Sequence, residues 1–255
     1  MGLMALGLVP APASGAPVSL RGTGPVLVDR AEDCDPMTPA VYNLRGTGPN
    51  IPLQVLVLLD GVTKPEAEAM VGAATNSYAP LGVSFEATYK TYKKVVPGTT
   101  PATPVQSEAP GLIGEARAAV GGARPAGTDI VYMLTARDVV LGDSDVVGYA
   151  DCIGGIRFPN RAFAIGEAKI PVQAVGPLSF YVDAAAKTFS HEIGHLLGAR
   201  HEHANCVQGV QASDVTGGDP TPCTLMMNNL DLQSSNFGAL EAAVVRAYAE
   251  VFSGP

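Results

Sequence analysis

The chain has 255 residues, of which 47% are hydrophobic and 16% charged, and its formal net charge at pH 7 is −8. This composition excludes an intrinsically disordered chain, and the length is sufficient for one large domain with a substantial core. The acidic balance excludes a basic nucleic-acid-binding surface, because the one cationic cluster (Lys90, Lys93 and Lys94) is too small to form it.

The N-terminus carries a short apolar run, Met1–Val9, followed by small residues that offer cleavage sites at Ala13 and Ala16. This pattern is typical of a secretory signal peptide, and the run is shorter than the roughly 20 apolar residues that span a bilayer. We therefore expect residues 1–16 to be a signal peptide and the protein to be secreted, with a buried strand as the alternative. No other stretch of the sequence is long and apolar enough to cross a membrane.

Residues 17–50 are rich in proline and glycine, and the repeat Leu-Arg-Gly-Thr-Gly-Pro occurs in them at 20–25 and again at 44–49. No Lys-Ser or Lys-Thr pair follows these glycines, which argues against a phosphate-binding loop and favours two similar turns. The segment is predicted to be an N-terminal extension, either a removable pro-segment or a strap on the surface of the domain that begins near Ile51.

From Ile51 onward, apolar patterns predict strands that alternate with helices, as in a mixed α/β sheet. Continuous or alternating apolar runs predict strands at 53–59, 83–92, 129–135, 146–150 and 161–166. Helical patterns occupy 64–79, 111–121, the segment from Val182 to about Leu197, and 237–252, and the last of these is interpreted as packing.

The helix that begins near Val182 has two different faces. Its apolar residues recur in steps of three and four through Phe189 and Ile193, so this stripe should face the sheet. His191 lies about 200° around the helix from Ile193, at 100° per residue, and so points the other way. His195 is one turn from His191 on that same face, and two imidazoles in this relation can bind one ion.

A third histidine follows after a glycine. If the helix continued, His201 would lie about 15 Å along its axis from His191 and could not share an ion. Gly198 permits the left-handed conformation that ends helices, so the chain can turn back and present His201 as a third ligand. Three neutral histidines leave a fourth position for water, as in catalytic zinc sites. His203 is the alternative third ligand.

Residues 191–201 read HEIGHLLGARH and match the HExxHxxGxxH signature of the metzincin zinc proteases at every fixed position. Metzincins also carry a methionine turn beneath the zinc, for which Met226 is the candidate and Met227 the alternative. The order of Asp129–Arg137, Val147–Cys152 and the histidine helix is most similar to the adamalysin/reprolysin group. The resemblance covers about residues 51–230.

The resemblance implies a fold with a twisted, mostly parallel five-stranded sheet, an antiparallel edge strand, an active-site helix and a small C-terminal subdomain. Residues 51–255 would form the catalytic domain, with an upper part at 51–198 and a lower part at 199–255. An extended polypeptide substrate would pair with the edge strand at Val147, Gly148, Tyr149 and Ala150. We expect a monomer with no nucleic-acid partner and no membrane span.

The implied reaction is peptide hydrolysis by water activated on one zinc ion, with Glu192 as the general base. Glu192 lies next to His191, about 100° around the helix, where it can reach a water on the ion. The alternatives are a zinc hydrolase that cleaves another amide, such as one in cell-wall peptide, and a non-catalytic module stabilised by zinc. Glu192 argues against the module, because a structural zinc site needs no base.

The four cysteines are Cys34, Cys152, Cys206 and Cys223. An even number in an exported chain predicts two disulfides, with free buried thiols as the alternative. Three pairings are possible; we favour Cys206 with Cys223, which closes a loop rich in glycine and proline, and hence Cys34 with Cys152. No cysteine lies in a CxxC pair, which argues against a cysteine zinc site.

A second cation is a weaker prediction. Gly142, Asp143, Ser144 and Asp145 offer two carboxylates, whereas calcium takes six to eight oxygen ligands. A turn is therefore the favoured interpretation of these residues, and a calcium site the alternative.

Overall fold

The computed structural model describes residues 32–34, 48–93, 105–170, 178–201, 224–227 and 235–254. For Glu32 and residues 178–183 the backbone alone is described. The predictions that concern residues 1–16, His203, Cys206 and Cys223 lie outside these ranges, as does most of the segment 17–50.

Strands and helices alternate through the described ranges. The strands are β1 (Glu32–Asp33), β2 (Ile51–Asp60), β3 (Val83–Lys93), β4 (Gln106–Glu108), β5 (Ile130–Thr135), β6 (Asp138–Leu141), β7 (Ser144–Asp145), β8 (Gly148–Ala150), β9 (Cys152–Ile153) and β10 (Phe163–Glu167). The α-helices are α1 (Lys64–Tyr78), α2 (Ala109–Ala119), α3 (Leu178–Leu196) and α4 (Ala239–Phe252). Short 3-10 helices occupy Ala79–Leu81 and Gly155–Arg157.

The main sheet has five strands in the order β3-β2-β5-β10-β8. β2 pairs in parallel with β3 and β5, and β5 pairs in parallel with β10. β8 runs antiparallel to β10 and forms one edge of the sheet. The predicted fold class is therefore confirmed, including the antiparallel edge strand.

Two apolar layers enclose this sheet. One joins α1, α3 and α4 to one face, with Phe189 and Ile193 of α3 fully buried in it. The other joins α2 to the opposite face, where Leu112 packs near Met133 and Phe163. β5 is buried along its whole length, which explains why its sequence is continuously apolar rather than alternating. None of the described helices combines the length and hydrophobicity needed to cross a bilayer.

Local sequence signals account for the ends of several elements. Thr63 caps α1 in a capping box: its hydroxyl accepts from the Glu66 N–H, and the Glu66 carboxylate accepts from the Thr63 N–H. Helix α2 begins at Ala109, two residues before the predicted start at 111, because Pro110 fits the first turn of a helix.

The structure contains a hairpin that the apolar pattern did not predict. β6 and β7 pair in register through Val140 with Asp145 and Leu141 with Ser144, and Gly142 adopts a left-handed φ of 61° between them. Gly142 and Asp143 thus form the favoured turn, while Ser144 and Asp145 belong to β7; the calcium alternative stays a prediction. The edge strand β8 begins at Gly148 rather than at the predicted 146.

A charged network ties α2 to the carboxyl ends of β2 and β5. Arg137 donates from Nε to the buried Asp60 carboxylate at 2.7 Å. It also forms a two-point pair with Glu115, with N–O distances of 2.9 and 2.6 Å. These hydrogen bonds from Arg137 are the main cause that lowers the pKa of Glu115 to about 2.

We predict that a Glu115→Gln substitution destabilises the protein by about 1 kcal/mol at pH 7, since the side chain of Glu115 is 37% exposed and solvent screens the pair. The pKa of Glu115 is lower in the folded state, so its stabilisation is complete above about pH 4.5 and is lost as the pH falls towards 2. In denaturant unfolding, the free energy of unfolding of wild type should exceed that of Glu115→Gln by an advantage that shrinks from pH 6 to pH 3. A constant advantage would contradict the prediction, and Glu68→Gln, in the exposed Lys64–Glu68 pair, is the control.

Candidate active site

Helix α3 presents two histidines one turn apart, and the Nε2 atoms of His191 and His195 are 2.9 Å from each other. Both rings are almost fully buried, at 0% and 2% exposure. The two predicted faces of this helix are therefore both buried, because other parts of the protein cover the histidine face as well as the apolar face.

Gly198 ends the helix and turns the chain back, as predicted. Its φ is 86°, and its N–H donates to the His195 carbonyl at 2.9 Å. A β-carbon at this position would lie 2.6 Å from the ring of Tyr248, so a larger residue would meet both strain and a collision. After this turn His201 returns to α3, and its Nε2 is 3.0 Å from that of His191 and 3.2 Å from that of His195.

Two backbone carbonyls orient the rings. The Nδ1 atom of His191 lies 2.7 Å from the Leu225 oxygen, and the Nδ1 atom of His195 lies 2.8 Å from the Ala199 oxygen. A carbonyl oxygen can only accept, so each Nδ1 carries the proton and each Nε2 presents a lone pair. Burial and the neighbouring rings of His195 and His201 lower the pKa of His191 well below its usual value, which keeps the ring neutral.

This arrangement fits a zinc ion. Lone pairs that face one another at about 3 Å repel unless a cation lies among them, and neutral imidazole nitrogens are zinc ligands. Nitrogens about 2.0–2.1 Å from a tetrahedral zinc lie about 3.3 Å apart. The observed separations of 2.9 to 3.2 Å are close to that spacing. In the described ranges these histidines are the one group of three or more metal-ligating side chains.

Met226 lies in a turn beside the histidine helix. It is fully buried, and a β-carbon on Gly194 of α3 would come within 2.9 Å of its sulfur. The Thr224 carbonyl accepts from the Met227 N–H at 3.3 Å and closes the turn. Because the Leu225 carbonyl that orients His191 belongs to this same turn, the segment supports the histidine cluster from one side.

Glu192 packs against the edge strand. A β-carbon on Gly148 would lie 2.7 Å from Oε1 and 2.9 Å from Cγ of Glu192, and 2.5 Å from Cγ2 of Thr188. Glu192 itself is 3% exposed. Burial raises the pKa of Tyr78 and Tyr132, and the nearby Glu192 carboxylate raises both further. The buried carboxylate therefore lies between α3 and β8, close to Tyr78 and Tyr132.

The proposed substrate strand is placed at the margin of the sheet. Gly148, Tyr149 and Ala150 form β8, and the Val147 carbonyl accepts from the Glu167 N–H at 2.9 Å, which extends the pairing with β10. β10 occupies one side of β8, and the sheet order places no further strand beyond it among the described residues.

Two of the four cysteines, Cys34 and Cys152, lie within the described residues. Cys34 and Cys152 are joined by a disulfide, the pairing that we favoured, and β1 runs parallel to β9 beside it. The orienting carbonyls of Leu225 and Ala199 and the close approach of Gly148 to Glu192 were not predicted from the sequence. Every residue has a carbonyl, so a sequence carries no signal for the first two; the glycine was noted only as part of the edge strand.

Comparison with known proteins places the chain. The model of the reprolysin-like metallopeptidase family M12B matches residues 68–202, just over half of the 255 residues. A comparison with curated proteins finds no match.

Among solved structures, the archaemetzincin of Methanopyrus kandleri has 19% sequence identity and a TM-score of 0.52, over 78% of this chain and 96% of that chain. The archaemetzincin of Archaeoglobus fulgidus has 15% identity and a TM-score of 0.48, over 75% of this chain and 99% of that chain. Metalloproteinase-II of Bacteroides fragilis has 17% identity and a TM-score of 0.48, over 78% of this chain and 53% of that chain. At 19% identity, the similarity to the Methanopyrus kandleri structure supports the fold alone. The family match shows more: the chain belongs to the reprolysin-like metallopeptidases of family M12B and is a zinc metalloprotease.

Proposed function

We propose that this protein is a secreted endopeptidase in which His191, His195 and His201 hold the zinc ion and Glu192 is the general base. The observation that carries the proposal is the convergence of three imidazole Nε2 atoms within 3.2 Å of one another. For two of the rings a backbone carbonyl fixes the proton on the opposite nitrogen. A zinc ion bound there would supply Lewis-acid chemistry, which lowers the pKa of water towards about 7 and polarises a carbonyl.

Glu192 would move the proton. Its carboxylate is one residue from His191 and packs against Gly148, so a peptide held along β8 would have its scissile bond near this base. We propose that Glu192 accepts a proton from the attacking water and later transfers that proton to the leaving amine. Its side chain is buried, at 3% exposure, beside the edge strand that would hold the peptide.

The edge position of β8 favours an extended polypeptide substrate. A strand at a sheet edge leaves backbone N–H and C=O groups that a peptide can pair with, and such strand addition needs no particular side chains. Such pairing favours a polypeptide over a small molecule as the substrate. Met226 is assigned the family's methionine turn because it packs against α3 next to the orienting carbonyl of Leu225.

Secretion is supported by two independent features. The apolar run Met1–Val9 with small residues after it resembles a signal peptide. The Cys34–Cys152 disulfide is of a kind that persists in oxidising compartments and is rare in the cytosol.

Metal removal tests the proposal. Metal analysis of the full chain should find one zinc per molecule, and a chelator should abolish hydrolysis of denatured casein. Added zinc should restore it. Peptidoglycan is the comparison substrate: cleavage of peptidoglycan without cleavage of casein would replace endopeptidase with cell-wall hydrolase, and casein hydrolysis that withstands removal of the metal would overturn the zinc assignment. Recovery of the protein from the culture medium, with residues 1–16 removed, tests secretion.

A further inference from the structure

An ion pair links the N-terminal segment to the residue that precedes the third histidine. The Arg200 guanidinium forms a two-point fork with the Asp33 carboxylate, with N–O distances of 3.0 and 2.7 Å. The two residues are 167 positions apart, and their side chains are 51% and 42% exposed. An exposed ion pair with a single N–O contact contributes little to stability, whereas a two-point fork restricts the orientation of both partners.

Asp33 is itself held in place. β1 pairs in parallel with β9, and the Cys34 N–H donates to the Ile153 carbonyl at 3.1 Å. The disulfide from Cys34 to Cys152 fastens the same point covalently. One residue beyond β9, the Gly154 N–H donates to the carbonyl of His195 at 2.9 Å. Asp33 thus belongs to a small two-stranded unit that is attached directly to the end of the histidine helix.

The chain that carries His201 needs such support. After Gly198 it has left the helix, and Ala199 is held by a hydrogen bond from its N–H to the Gly194 carbonyl at 2.9 Å. A rotation of the backbone at Arg200 would swing the His201 imidazole away from the other two rings. A fork on the side chain of Arg200 opposes that rotation.

We propose that Asp33 is a positioning residue, which acts through Arg200 to keep the His201 imidazole in the zinc-binding arrangement. The inference rests on the proposed function, since it takes His201 as a zinc ligand. Residues 32–34 would then be a permanent part of the working enzyme. A cut anywhere in 35–47 would leave them attached, because the Cys34–Cys152 disulfide crosses it.

The test is the rate at which the zinc-loaded full chain releases its metal to a chelating indicator. Asp33→Asn should release zinc about two- to fivefold faster than wild type, the range expected for an exposed ion pair. Asp33→Glu should release zinc more slowly than Asp33→Asn. The charge swap Asp33→Arg with Arg200→Asp should return the release rate most of the way to that of wild type. The double variant Cys34→Ser with Cys152→Ser should release zinc faster than Asp33→Asn, because loss of the disulfide loosens β1 as a whole.

A cobalt-substituted sample gives a spectroscopic reading of the same point. The visible absorption band of Co²⁺ should change in Asp33→Asn and return in the charge swap, whereas a purely structural role would leave the band unchanged. Glu68→Gln, in an ion pair of similar exposure on α1, is the matched control and should match wild type.

The outcomes separate the two proposals. Wild type that binds one zinc, together with unchanged release and an unchanged cobalt band in Asp33→Asn, would overturn the positioning role and leave the zinc site standing. Wild type that binds no zinc would overturn the proposed function itself. A faster release in Asp33→Asn that the charge swap fails to reverse would also count against the fork.

Discussion

Glu192→Gln is expected to bind one zinc ion per chain and to hydrolyse peptides about 10²- to 10⁴-fold more slowly than wild type, the usual contribution of a general base. Glutamine has nearly the same size and shape as glutamate, so it should preserve the packing against Gly148. Its amide cannot take a proton from water at neutral pH. The loss should therefore fall on kcat, with metal content unchanged.

The measurements are zinc content, kcat and KM on a fluorogenic peptide, and the thermal midpoint of unfolding. Glu86→Gln, at an exposed position on β3, is the control and should retain full turnover. Wild-type turnover in Glu192→Gln would remove the carboxylate from the mechanism, and the same loss accompanied by loss of zinc would mean that Glu192 supports the metal rather than the proton transfer.

Gly148→Ala is expected to lower kcat/KM by about 10²-fold, because displacements of about 1 Å at a reacting centre have effects of that size. The added methyl group would lie 2.7 Å from Oε1 of Glu192 and 2.5 Å from Cγ2 of Thr188. Helix α3 is packed against the sheet through Phe189 and Ile193, so the carboxylate or the edge strand must move. Crowding of this kind costs about 1–3 kcal/mol of stability.

Two variants isolate the cause. Gly148→Ala combined with Thr188→Ser removes the methyl contact of Thr188, so it should recover stability but not turnover if the contact with Glu192 matters. Gly72→Ala on α1, where a β-carbon meets nothing within 4 Å, controls for the glycine replacement itself and should retain activity. Zinc content should be unchanged in both variants. A normal kcat/KM in Gly148→Ala would show that the edge strand does not fix the position of the Glu192 carboxylate.

Much of the fold was predictable because its signals are local. The buried strands β2 and β5 are continuous apolar runs, and α1 carries its capping residues Thr63 and Glu66 in sequence. The hairpin of β6 and β7 was not predicted, because its strands are short and partly exposed and have no distinctive apolar pattern. Its glycine was read correctly as a turn, yet a turn alone does not reveal which strands it joins.

By itself, the sequence determined that two histidines share one helical face and that a glycine allows a third to return, since helix geometry and glycine's backbone freedom depend on near neighbours. Only the tertiary structure decided that the three rings converge, that carbonyls 34 and 4 residues away orient two of them, and that Asp33 reaches Arg200 across 167 residues. Contacts between distant parts of a chain depend on how whole elements pack, and a backbone carbonyl or a single surface charge leaves no mark in a sequence that would foretell its partner.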